Sequence, residues 1–87
     1  MQRRLSGIMI RLKNITKNKN IITCDVYVED CKEPVLIILD TGGKKLQNYE
    51  LPERYEWCHS HINHAKRNLL EMDRENKLVN ETTVMWY

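Results

Sequence analysis

Phenylalanine is absent from this 87-residue sequence, proline occurs twice and glycine three times. With aromatics at only 7%, the core has to be built from aliphatic side chains. So little glycine and proline excludes collagen-like and low-complexity linker character. No apolar run approaches the roughly 20 residues that cross a bilayer, and the longest covers only residues 35–39. No secretory leader is expected either, because the stretch after Arg3 and Arg4 is broken by Arg11 and Lys13. Cysteines number three, an odd set without an export signal, so reduced thiols and a cytoplasmic location are expected. Neither sign of charge dominates: 14 Lys+Arg face 12 Asp+Glu, for a formal net charge of +2.

What is present is an ordinary globular mixture, 41% hydrophobic and 30% charged, enough for one small domain over residues 1–87. Ile8, Ile10 and Leu12 alternate with Met9, Arg11 and Lys13, the period-2 signature of a half-buried strand. After the polar cluster Lys17-Asn18-Lys19-Asn20, a second such strand sets Ile22, Cys24, Val26 and Val28 against Thr23, Asp25, Tyr27 and Glu29. Val35-Leu36-Ile37-Ile38-Leu39 is apolar throughout, as in a strand covered on both faces. Thr41-Gly42-Gly43-Lys44 is a tight-turn signal in which the glycines can supply positive φ. A short, more polar fourth strand follows before residue 51.

At Pro52 the period changes. Tyr55, Cys58, Ile62, Ala65, Leu69 and Met72 recur at spacings of 3 and 4, predicting a helix over residues 53–76. Pro52 suits its first turn, and Asn80 closes the segment. Residues 81–87, rich in β-branched and aromatic side chains, read as a terminal strand. The expected fold is α+β: a four- to five-stranded antiparallel sheet in the order β-β-β-β-α-β, with one long helix on one face. One helix shields one face only. Val35, Ile37 and Leu39 are therefore the expected interaction surface, covered by a second copy in a homodimer, by another protein, or by the terminal strand.

Three motifs suggest chemistry. Leu39-Asp40-Thr41-Gly42 resembles the catalytic loop of retroviral-type aspartic proteases, which would make Asp40 catalytic in a dimer. The resemblance covers four residues and lacks that family's bracing apolar-apolar-Gly segment, so a hairpin turn is the better reading. Cys58, His59, His61 and His64 crowd one helical segment. They show neither an i,i+4 histidine pair nor a Cys-x-x-Cys, so no metal and no cofactor is expected. The third motif is charge: residues 1–20 hold six basic side chains and no acid. Arg11, Lys13, Lys17 and Lys19, with Tyr27 to stack a base, form a candidate nucleic-acid surface. In-phase pairing of the first two strands would set Asp25 opposite Arg11 or Lys13 and partly neutralise it. At the level of architecture alone, a sheet followed by a helix resembles single-strand-binding transcription cofactors.

The strand Met9-Ile10-Arg11-Leu12-Lys13-Asn14-Ile15, the helical His64-Ala65-Lys66-Arg67 and the ending Thr83-Val84-Met85-Trp86-Tyr87 together resemble a family of small clostridial-type bacterial proteins. In that family a strand meander precedes a helix and a Val-Met-Trp-Tyr terminus. The resemblance implies no activity, cofactor or functional residue. Residues 1–8 add little to the strand pattern and read as a disordered or non-native extension. Arg3-Arg4 can be encoded by AGG-AGG, a ribosome-binding sequence, shortly ahead of Met9. A start at Met9 would remove both arginines and cancel the net charge. The expected function is a non-enzymatic protein-interaction module, with nucleic-acid binding as the alternative.

Overall fold

The structure is a computed structural model that describes residues 8–29 and 31–86. The expectations for the segment ahead of Ile8, and for Tyr87, lie outside the described residues. Among the described residues, five strands and one helix follow in chain order: β1 (Ile8–Asn18), β2 (Ile21–Val28), β3 (Val35–Asp40), β4 (Lys45–Leu46), α1 (His59–Arg74) and β5 (Thr82–Trp86). All neighbours are antiparallel and the spatial order is β4-β3-β2-β1-β5. The fold is thus α+β, with a single helix packed on a five-stranded sheet.

Alternation decides the inner face. Ile10 and Leu12 on β1, Ile22, Cys24, Val26 and Val28 on β2, and Val35, Ile37 and Leu39 on β3 are each at most 2% exposed. Against them α1 lays Ile62, Ala65 and Leu69, all fully buried, with Cys58 just ahead of the helix. The helix lies across β1 and β2 and reaches β5. At Asn14 the register slips: Lys13 faces Asp25, but Thr16 already faces Thr23. Asn14 takes φ 54°, a left-handed conformation that asparagine tolerates better than most residues. This bulge restarts the alternation, so that Ile15 rather than Asn14 turns inward, at 3% exposure.

Several boundaries move from their expected places. The helix begins at His59, not near residue 53, because Arg54 sits at φ 80° and no helix continues through such a residue. Two separate turns precede it instead, closed by Tyr55 N–H donating to the Pro52 carbonyl and Cys58 N–H to that of Tyr55. The Trp57 indole N–H donates to the Arg54 carbonyl at 2.8 Å and fixes that path. At the other end Asn76, not Asn80, stops α1. It adopts φ 62°, its N–H bonds to the Asp73 carbonyl and that of Lys77 to Met72, the paired bonds of a Schellman motif. In the β3–β4 turn the positive φ falls on Lys44, at 56°, and on neither glycine.

Candidate interaction surface

Strand alternation sends every second side chain to the face opposite the helix. The three residues expected to form the interaction surface do not lie there. Val35, Ile37 and Leu39 are 2%, 0% and 0% exposed, which corrects that expectation: an all-apolar strand leaves the choice of face to the packing around it, and here the odd-numbered set joins the core, against which Leu46, Tyr49, Leu51 and Tyr55 also pack. It is Leu36 and Ile38 that face outward. Leu36 is 56% exposed, the highest value for a strand aliphatic among the described side chains, and Ile38 is half-buried. Register places Leu36 beside Asp25 and Ile38 beside Thr23 on β2. Beyond them β4 pairs only with Leu39 and Asp40, and Gln47 N–H reaches the Ile38 carbonyl. From Val35 to Ile37 the β3 edge has no strand partner among the described residues.

The β1–β2 side of this face is polar and already internally bonded. Tyr27 stands opposite Arg11, whose guanidinium carbon lies 5.1 Å from the ring centroid, while the Lys13 ammonium lies 5.7 Å away. Both contacts fall within the reach of a cation–π attraction. Arg11 also donates to the Cys31 carbonyl at 3.3 Å. Asp25 faces Lys13 in register and accepts from the Asn14 amide at 2.8 Å, and the Thr16 and Thr23 hydroxyls are bonded at 2.6 Å.

The five residues expected to meet nucleic acid are therefore split. Arg11, Lys13 and Tyr27 share the helix-free face, with the ring already flanked by two cations. Lys17, past the bulge, turns to the helix side and pairs with Asp73 at 2.6 Å. Lys19 sits in the β1–β2 turn at φ 59°. The bulge at Asn14 is the physical cause, since it puts Lys13 and Lys17 on opposite faces.

The other reactive residues are structurally engaged. Asp40 Oδ1 accepts from the Gly42 N–H at 2.9 Å and the Gly43 N–H at 3.4 Å, and the Thr41 hydroxyl donates to the Asn20 carbonyl. That is the bonding of a turn. Cys58 is fully buried, and burial, then the neighbouring Glu29 and Cys31, pushes its thiol up to about 11. Burial likewise raises Cys24 to about 12. Thiols so protonated are poor nucleophiles at neutral pH. His59 bonds through Nδ1 to the Tyr49 hydroxyl at 2.8 Å. Burial, then Arg67 and His61, lowers the His64 imidazole below its ordinary range. No group of His, Cys, Asp and Glu among the described residues has the arrangement of a metal site.

One pair was not foreseen. His61, 2% exposed, meets the Glu29 carboxylate at 2.6 Å, and the Trp57 ring packs against its imidazole at 84°, with centroids 5.4 Å apart. An ionised carboxylate can only accept, so Nε2 carries the proton. Glu29 reaches it from φ 51° at the end of β2. The signal was the position of His61, three residues after Cys58 on the apolar stripe: a polar side chain there is buried and needs a partner. Among the described residues, no helix is long and apolar enough to cross a membrane. Comparison with family models, with curated proteins and with solved structures finds no match to this chain.

Proposed function

We propose that this chain is a small non-enzymatic interaction module that binds another polypeptide, in the first place a second copy of itself, through the helix-free face of its sheet. The observation that carries the reading is Leu36, 56% exposed beside half-buried Ile38, next to a stretch of β3 edge that β4 leaves open. Exposed apolar side chains beside an unpaired edge are what a partner strand or face covers. Three residues that could carry chemistry are engaged in the fold: Asp40 bonds its own turn, and burial holds the Cys24 and Cys58 thiols protonated. A cytoplasmic location belongs to the same reading and suits three unpaired cysteines.

Sedimentation velocity over a hundredfold concentration range tests it. The expected result is concentration-dependent association that Leu36→Asp abolishes while the circular dichroism spectrum is unchanged. A wild-type chain that stays monomeric throughout removes self-association. Salt-sensitive binding of a single-stranded oligonucleotide, lost in Arg11→Ala, would favour the nucleic-acid alternative instead.

A further inference from the structure

On the helix side of the molecule, away from Leu36, a groove of about 580 Å³ runs between the C-terminal half of α1 and the β3–β4 turn. Its walls carry three cations, Lys44, Arg67 and Arg74, and two acids, Glu71 and Asp73, with Leu70 between them. Both acids are already used. Asp73 pairs with Lys17 at 2.6 Å and Glu71 with Arg74 at 3.7 Å. Lys44 and Arg67 make no ion pair among the described residues. A second hollow of about 290 Å³ shares Arg67 and Leu70 with the first and adds Lys66 and Asn63. The two hollows adjoin at Arg67 and half-buried Leu70 and are taken together as one trough, along which Lys44, Lys66 and Arg67 make no ion pair among the described residues.

We propose that this trough is a docking site for an acidic peptide segment, with an apolar side chain over Leu70 and carboxylates toward Arg67 and Lys44. Charge complementarity selects the occupant. Three spare cations around an apolar centre attract a chain in which acids flank a hydrophobic residue, and a guanidinium can take a carboxylate through two parallel bonds. The shape favours a peptide over a small molecule, because an open trough along a helix cannot enclose most of a compact ligand. Lys44 is held in place by its turn, which Asp40 ties through Gly42 and Gly43. The site uses none of the residues of the sheet face, so it stands or falls independently of self-association.

The test is fluorescence anisotropy of a fluorescein-labelled Glu-Leu-Glu-Glu-Leu-Glu peptide with the full chain at 50 mM and 300 mM salt. Binding is expected in the micromolar range at low salt. Arg67→Glu combined with Lys44→Glu should weaken it at least tenfold, Lys66→Glu alone several-fold, and Leu36→Ser on the opposite face not at all. Circular dichroism confirms that each variant is folded. Three results overturn the proposal: no binding at 1 mM peptide, binding unchanged by both charge-reversal variants, or equal affinity for an all-glutamate peptide or a single-stranded oligonucleotide. The last would mean that charge alone is being read.

Discussion

Glu29→Ala should destabilise the protein by about 1–2 kcal/mol, and the comparison with Glu29→Gly separates two causes that a single variant would merge. Glu29 holds buried His61 through a 2.6 Å bond, and leaving a buried ring nitrogen without its acceptor costs about 1–3 kcal/mol. The Glu29 side chain keeps 22% exposure, so water already competes for the carboxylate and the lower part of that range applies. The backbone is the second cause. At φ 51° a residue with a side chain bears about 1–2 kcal/mol of strain, which alanine retains and glycine releases. Glycine returns about 0.4–1 kcal/mol of that gain through its freer unfolded chain. Glu29→Ala should therefore be the least stable variant and Glu29→Gly about 0.5 kcal/mol better. Glu29→Gln, which keeps an acceptor oxygen, should lose under ~1 kcal/mol. Guanidinium denaturation resolves these steps, and each kcal/mol moves the melting temperature by roughly 4–8 °C in a domain of this size. In a His61→Leu background the Glu29→Ala cost should shrink to near zero. A wild-type-like Glu29→Ala, or an undiminished cost without His61, would refute the coupling of this strand end to the helix.

Asp40→Ala should cost about 0.5–1.5 kcal/mol through its bonds to Gly42 and Gly43, and Asp40→Asn roughly half of that, measured by thermal melts; a loss above ~3 kcal/mol would mean that Asp40 holds more than a turn. Cys58 gives a pH dependence. The unfolded thiol ionises near 9.0 and the buried one only at about 11, so in that window the native state binds more protons and stability falls as pH rises, by up to ~1.4 kcal/mol per unit. Denaturation midpoints at pH 8 and pH 10 check the sign, and iodoacetamide at pH 8 should label folded Cys58 far more slowly than free glutathione. Gly43→Ala should stabilise by about 0.4–1 kcal/mol, because its φ is not positive and an added Cβ meets nothing nearer than Asp40 Oδ2 at 3.6 Å; a lower melting temperature would contradict the turn geometry.

The sheet and its inner face were legible because alternation is a local property of the chain. Ile10, Leu12, Ile22, Cys24, Val26 and Val28 declare one face by themselves, and all are buried together. On β3 the alternation is silent, so the sequence could name the two sets but not say which of them joins the core. The helix start was obscured for a different reason. Pro52, Glu53 and Glu56 are all suitable for a first turn, and nothing in the composition of residues 53–58 shows that Arg54 is left-handed. The bulge at Asn14 was hidden likewise, and with it the separation of Lys17 from Lys13. Positive φ falls on Lys19, Glu29, Lys44 and Arg54, none of them a residue whose identity advertises it. In the trough, Lys44 and Arg67 come together only through the packing of α1 beside the β3–β4 turn, which no spacing rule reaches.

The placing of β1 between β2 and β5 has a kinetic consequence. β2 closes onto β1 through a two-residue turn, whereas β5 must bring Val84 back to Ile10 across nearly the whole described chain. Closing so long a loop costs roughly 4 kcal/mol in chain entropy before any pairing is gained, so the β1–β5 ladder should form late, after the meander has collapsed. During synthesis the delay is enforced by chain order, because residues 82–86 emerge after the other described strands. Until they arrive, Met9 to Leu12 present a bare strand edge that carries apolar Ile10 and Leu12. A nascent chain paused before Thr82 is thus the form of this protein most exposed to wrong partners, and β5 acts in folding as the latch that ends that interval.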